Sequence, residues 1–85
     1  MQEGHFEPVT IAQAAERLGR LERTVRTWAS RYHARKAPFK AGKTAWYDWH
    51  DLKTIARQIR VGEAVPATPE ERDELRARRR ATAAA

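Results

Sequence analysis

Two short helical patterns follow one another closely near the N-terminus, and this succession constrains the fold more than any other feature of the sequence. In the first pattern, apolar residues recur at helical spacing: Ile11, Ala14, Ala15 and Leu18. Thr10 and Gln13 have the spacing of a capping box, and Gly19 can take the positive φ that ends a helix. We therefore predict a first helix over residues 11–18.

A second helical pattern begins only a few residues later. Its apolar face consists of Val25, Trp28, Ala29 and Tyr32, whereas its other faces are mostly polar. Leu21 stands where a capping Ser, Thr or Asp would be expected, so the start of this helix is its least defined boundary. Two short helices joined by a turn that contains glycine have the layout of a helix-turn-helix.

A β-hairpin and a third helix are predicted next. Pro38 ends the helical possibilities, Gly42 can form a turn, and the aromatic and β-branched residues around it favour extended backbone. A two-stranded hairpin is marginal alone, so it must pack against the helices. Asp48 can cap the third helix, which Gly62 ends. The apolar stripe of that helix consists of Trp49, Leu52, Ile55, Ala56 and Ile59.

A polar helix is predicted over residues 69–80, after a linker at 63–68. Thr68 and Glu71 have capping-box spacing, and Pro69 occupies the first helical position. Acidic residues at its start and arginines near its end suit the helix dipole. Leu75 is its only large apolar side chain, so we expect this helix to project from the domain.

Together these patterns predict a mainly α fold with a small two-stranded hairpin: a winged helix-turn-helix over residues 9–62 with a projecting C-terminal helix. Residues 1–8 are expected to be flexible and residues 81–85 disordered. A chain of 85 residues can hold only one small core. The absence of cysteine excludes disulfides and thiolate metal sites, and no apolar run has the length of a membrane span.

Positive charge is concentrated in one stretch of the chain. Residues 17–43 contain nine basic residues and a single acid, Glu22, whereas the rest of the chain is slightly acidic. A surface that only provides solubility would mix both signs, so this concentration indicates a folded surface for a polyanion. An ordinary solvated face is the alternative.

The outward face of the second helix is the best candidate for DNA recognition. Its candidate residues are Arg23, Thr24, Arg26, Thr27, Ser30 and Arg31. A helix fits the major groove, arginine can bind guanine through two hydrogen bonds, and Thr or Ser can contact base edges or phosphate. Each could instead be an ordinary solvent-facing residue, but three arginines with no acid among them favour binding.

The hairpin and its flanks offer a second set of cations. These residues are Arg20, Arg35, Lys36, Lys40 and Lys43. Lysines at a hairpin tip can reach phosphates, or enter a narrow minor groove. Edge strands also carry lysine merely to prevent aggregation.

The aromatic residues could stack on bases of a single strand, but their spacing favours the core. Trp28 and Trp49 lie on apolar helix faces, whereas Trp46 and Tyr47 alternate across a strand and can face either side.

Other chemistry has little support in the sequence. The three histidines, His5, His33 and His50, lack the spacing of zinc ligands. Neither a glycine-rich phosphate loop nor a nucleophile constellation occurs, and Asp48 and Asp51 are explained as helix caps. We expect no metal, no cofactor and no enzymatic activity.

Residues 9–60 resemble the MerR-like winged helix shared by phage and plasmid excisionases and small single-domain regulators. Four segments carry the resemblance: Leu18-Gly19, the run from Arg23 to Trp28, the wing from Pro38 to Lys43, and Tyr47 followed by Asp51-Leu52. The resemblance implies that Arg23, Thr24, Arg26 and Thr27 face DNA in the major groove and that Lys40 and Lys43 lie on the wing. Effector-sensing members carry a long dimerisation helix and a sensor segment, so no small-molecule effector is expected here.

We therefore expect sequence-specific binding to double-stranded DNA, by a transcription regulator or a recombination directionality factor of the excisionase type. The alternative is a DNA-recognition and assembly adaptor of a larger complex, for example in phage packaging. In that case residues 69–80 would dock a protein partner or mediate self-association. A cytoplasmic, nucleoid-associated protein without membrane contact is expected in either case.

Overall fold

The computed structural model describes residues 6–84, apart from the side chains of residues 40, 41 and 84. Its elements in chain order are β1 (Pro8–Val9), α1 (Ile11–Leu18), α2 (Glu22–Arg31), β2 (Lys36–Ala41), β3 (Thr44–Asp48), α3 (Trp49–Val61) and α4 (Pro69–Ala84). The predicted mainly helical winged helix-turn-helix with a small antiparallel sheet is confirmed. Of the segment 1–8 that we expected to be flexible, residues 1–5, with His5, lie outside the described residues. Residues 7 and 8 are held to the fold, because the Glu7 carbonyl accepts from Trp49 N–H at 2.8 Å and Pro8 begins β1 opposite Asp48.

The helix-turn-helix follows the local signals closely. Thr10 Oγ1 accepts from the backbone N–H of Gln13 at 3.1 Å, and the Gln13 side chain accepts from the backbone N–H of Thr10 at 3.0 Å. Gly19 ends α1 with φ 65°. α2 begins after Leu21 without a side-chain cap, and Leu21 is 60% exposed. Its carbonyl accepts the first helical hydrogen bond, from Val25 N–H at 3.1 Å.

The sheet has three strands in the order β1-β3-β2, one more than predicted. β1 pairs antiparallel with β3, with Val9 opposite Tyr47. Two residues are too few to show a strand periodicity, and β1 depends on the edge of β3 that the hairpin leaves open. In the hairpin, Ala41 lies opposite Thr44, so Gly42 and Lys43 form a two-residue turn. Gly42 has φ 64° at the first central position, where a type II′ turn requires a positive value.

The core is built from small residues. Its buried members are Val9, Ala14, Ala15, Val25, Ala29, Ala34, Leu52 and Ile55. Alanines on α1 and α2 allow the two helices to approach closely, and partly buried aromatic side chains surround the small core that results. Trp28, Tyr32, Tyr47 and Trp49 pack against this core. Trp46 is half-buried, and its Nε1 has no hydrogen-bond partner among the described residues.

The C-terminal helix packs on α3, although we expected it to project. Arg72 of α4 is fully buried. Its Nε and Nη2 donate to the two carboxylate oxygens of Asp51 at 2.6 and 2.8 Å, and its Nη1 donates to the Pro66 carbonyl at 2.8 Å. Asp51 is therefore the partner of a buried arginine and not the helix cap that we expected. Asp48 does cap α3, accepting from His50 N–H at 3.1 Å.

The same pairing continues along both helices. α4 presents Arg72, Arg76 and Arg79 on one face, and α3 presents the buried Asp51, Thr54 and Gln58 at matching spacing. Arg76 Nη1 donates to Thr54 Oγ1 at 2.7 Å, and Arg79 Nη2 donates to Gln58 Oε1. We call these three arginines the arginine row. With Leu75 as its only large apolar side chain, α4 gave no sign in the sequence of a face that packs. The contacts of the arginine row with α3 are polar, so a search for apolar residues does not detect them.

α4 continues past its predicted end at residue 80 and reaches Ala84. It therefore includes most of the segment 81–85 that we expected to be disordered. Alanine is the strongest helix former, so an alanine-rich end extends an established helix at little cost. None of the helices within residues 6–84 combines the length and the apolar character that crossing a membrane requires.

Candidate nucleic-acid interface

The exposed face of α2 brings together five of the six residues expected on the recognition helix. Arg23, Arg26, Thr27, Ser30 and Arg31 are all exposed and line one shallow concavity. The rotation of α2 about its axis is set by the opposite side of the helix, where side chains are buried in the core. The sixth residue, Thr24, is half-buried and does not line the concavity.

A second concavity connects α2 to the tip of the hairpin. Glu22 and Arg26 line it from α2, and Lys43 and Thr44 line it from the hairpin. Arg26 lines both concavities, so the face of α2 and the hairpin tip form one continuous surface. We call this the α2–hairpin surface. Its charged side chains are the cations Arg23, Arg26, Arg31 and Lys43 and the acid Glu22, and Thr27 and Ser30 are among its polar side chains.

The N-terminus of α1 completes this surface, which the sequence did not indicate. Thr10, Ile11 and Ala12 line the second concavity, together with Ala45 and Tyr47 of β3. These residues carry no charge and match no binding motif. Only the packing of α1 against α2 and the sheet brings them to the site.

Two local contacts act on the side chains of α2. Arg26 Nη2 lies 3.8 Å from Glu22 Oε1, and both side chains are exposed. Such a pair contributes little to stability, so a phosphate or base can replace the carboxylate at low cost. Thr27 Oγ1 donates to the Arg23 carbonyl at 2.9 Å, which uses the hydroxyl proton and leaves the oxygen able to accept.

Three of the predicted flanking cations are not found on this surface. Two of them line neither concavity, and the side chain of the third is not among those that the structure describes. Arg20 is exposed in the turn between α1 and α2, and Lys36 is exposed at the start of β2. Neither lines a concavity of the α2–hairpin surface. Lys40 is in β2 opposite Ala45, and its side chain lies outside the described part of the chain.

Arg35, the remaining predicted cation, is held inside the fold. Its guanidinium forms ion pairs with Asp73 at 2.9 Å, Glu70 at 3.6 Å and Asp48 at 3.9 Å. Burial lowers the pKa of Arg35, but the hydrogen bond to Asp73 and the neighbouring carboxylates outweigh it and raise the pKa above its ordinary value. Its charge is compensated by acids of its own chain, so we leave Arg35 out of the candidate interface.

Within residues 6–84, no group of three or more His, Asp or Glu side chains is arranged to hold a metal ion. Comparison with protein-family models, curated proteins and solved structures found no match to this chain. The likeness to MerR-like winged helices stays a prediction from the residues quoted above.

Proposed function

We propose that this protein binds double-stranded DNA with sequence specificity, placing α2 in the major groove and the β2–β3 hairpin against the adjacent backbone. The observation that carries the proposal is the position of Arg26, which joins the exposed face of α2 to the hairpin tip. A continuous cationic surface built on a helix is the shape that a major groove accepts.

The two parts of the surface have different roles in this proposal. Arg23 and Arg26 extend from an exposed helix face and can each make a two-point contact with guanine. Lys43 extends from a turn, where a flexible ammonium group suits a phosphate better than a base edge. Base reading is therefore assigned to α2 and backbone binding to the hairpin.

Selection of bound duplexes from a random pool, with the salt concentration held fixed, tests this proposal. We expect one motif to be enriched and to bind at least about a thousandfold more tightly than random DNA, which is the low end of the range for specific binding. The matched variant carries Arg23→Glu and Arg26→Glu, and it should enrich nothing. If the natural chain enriches no motif, or if the variant enriches the same one, the proposal is wrong.

Footprinting on DNA from the source of the chain then distinguishes the two biological roles. A single module of this type would cover about 600–1,000 Å² on DNA, so useful specificity requires several copies or adjacent half-sites. One or two protected sites at a promoter would indicate a transcription regulator. An array beside recombination attachment sites would indicate an excisionase-type factor.

A further inference from the structure

A cleft between α3 and α4 carries a second cluster of positive charge. The cations that line it are Lys53, Arg57, Arg60, Arg76, Arg79 and Arg80. No acidic side chain of the described residues lines this cleft, and it shares no lining residue with the α2–hairpin surface. We call it the α3–α4 cleft, and its volume is about 490 Å³.

Several of these charges are not neutralised within the fold. Arg76 has an ion pair with Asp73, whereas Arg57 and Arg60 are exposed and form no ion pair with another described residue. The pKa of Arg79 lies below its ordinary value, first because of burial and then because of the positive charge of Arg57; the carboxylate of Glu63 partly offsets this, and the charge of Arg76 adds to it. A negatively charged group that entered the cleft would relieve this repulsion.

The lining of the cleft is partly apolar. Leu18 of α1 and Ala56 of α3 line it together with the cations, and both are half-buried. A DNA backbone offers phosphates and sugars but no projecting apolar side chain to contact these two residues. A peptide that carries both carboxylates and an apolar side chain matches the cations and the apolar residues together.

We propose that the α3–α4 cleft binds an acidic segment of a partner protein, with carboxylates against Arg57 and Arg60 and an apolar side chain against Leu18 and Ala56. This inference is independent of the proposed DNA binding, because the two surfaces share no residue.

A second copy of this chain fits the cleft less well than a partner protein does. The densest acidic segment of the chain is the start of α4, and three of its four carboxylates are already engaged, among them Asp73, which pairs with Arg35 at 2.9 Å. Glu70 pairs with Arg35 at 3.6 Å, and Glu71 accepts from the backbone N–H groups of Ala67 and Thr68 at 3.0 and 3.3 Å. Binding to another copy would have to break these contacts.

The test uses the full chain and a fluorescent peptide of about 12 residues, which would span about 18 Å as a helix. The probe contains Glu, Asp and two Leu residues. One control peptide replaces every acid by its amide, and a second replaces both leucines by serine. Anisotropy is measured with the natural chain, with R57E/R60E, and with R23E/R26E, which has the same change in net charge. Circular dichroism verifies that both variants are folded.

We expect the acidic leucine peptide to bind the natural chain and R23E/R26E alike. R57E/R60E should weaken its binding at least about tenfold, as should either control peptide. Equal loss in both variants would mean attraction to net charge only and would overturn the proposal.

Two further outcomes would also overturn it. A DNA duplex that displaces the peptide from R23E/R26E would make the cleft a phosphate contact. The second outcome is self-association of the natural chain in analytical ultracentrifugation that is lost in R57E/R60E. It would mean that the cleft binds a second copy of this chain. In contrast, failure of the proposed DNA binding would appear as unchanged duplex affinity in R23E/R26E while peptide binding persists.

Discussion

Arg26 and Arg72 are both arginines on helices, but their surroundings give them different roles. Arg26 is exposed at the junction of two concavities, and its ion pair with Glu22 is also exposed. Arg72 is fully buried and makes a two-point contact with the equally buried Asp51. Replacing Arg26 should therefore affect binding, whereas breaking the contact of Arg72 should affect stability.

Arg26→Ala should weaken binding to the preferred duplex by about 1–3 kcal/mol and relax the sequence preference. Lys43→Ala should weaken binding to all duplexes alike, because a phosphate contact carries no sequence information. Titration of selected and random duplexes with each variant measures both effects. Equal losses on both kinds of DNA for both variants would contradict the division of roles between α2 and the hairpin.

Asp51→Ala should lower the free energy of unfolding by about 3–5 kcal/mol, because it leaves the Arg72 guanidinium buried without a counter-charge. Urea denaturation followed by circular dichroism measures the loss. The double variant Asp51→Leu with Arg72→Met removes both charges and should recover most of the stability. A loss below about 1 kcal/mol in the single variant would show that the pair is dispensable.

At the scale of elements, α4 is an integral part of the domain although it has almost no apolar face. The arginine row contacts polar side chains of α3 that lie on the same buried stripe as Leu52 and Ile55. Arg35 adds a further connection, because it pairs with Glu70 and Asp73 near the start of α4. Removal of α4 would leave Asp51 without the guanidinium that neutralises it.

Deletion of residues 66–85 should therefore lower the unfolding temperature by at least about 10 °C. In a domain of this size, a loss of about 1 kcal/mol in the free energy of unfolding lowers the midpoint temperature by about 4–8 °C. Deletion of residues 81–85 alone removes no contact of the arginine row and should change little. Differential scanning calorimetry compares the three chains. An unchanged midpoint after the longer deletion would mean that α4 does not stabilise the rest of the fold.

At the scale of the whole molecule, the fold forms two separate clusters of positive charge on the surface. One consists of the α2 face and the hairpin tip, and the other is the α3–α4 cleft. The chain has 17 basic residues and 11 acids, but a ligand bound at either surface contacts only a few of those positive charges. Among the side chains that the structure describes, four cations lie on the α2–hairpin surface: Arg23, Arg26, Arg31 and Lys43.

The salt dependence of DNA binding should reflect these four cations and not the total charge. If each replaced one counterion, the logarithm of the binding constant would fall with the logarithm of salt concentration with a slope of about −3.6. R57E/R60E should keep that slope, whereas Lys43→Ala should reduce it by about one. A reduced slope in R57E/R60E would place the α3–α4 cleft in contact with DNA.

The parts of the fold that follow local rules were predictable. Thr10, Gln13 and Gly19 define the limits of α1, and Gly42 defines the hairpin turn, because capping and turn formation depend on a few neighbouring residues. The exposed residues of α2 were predictable for the same reason, since the buried Val25 and Ala29 determine which side of the helix faces solvent.

Contacts between distant segments were not predictable from these rules. Asp51 and Gln58 lie beside the apolar stripe of α3 and are buried only because α4 covers them, and nothing local identifies an arginine 21 residues further along as the partner of Asp51. The same applies to Arg35, whose nearest acid, Asp73, comes from α4, and to β1, which forms only because β3 offers an open edge. Helix caps and turns arise from short-range chemistry that any chain with these residues would share. The identity of a buried charge pair depends on which helices meet, and that is known only once the whole chain has packed.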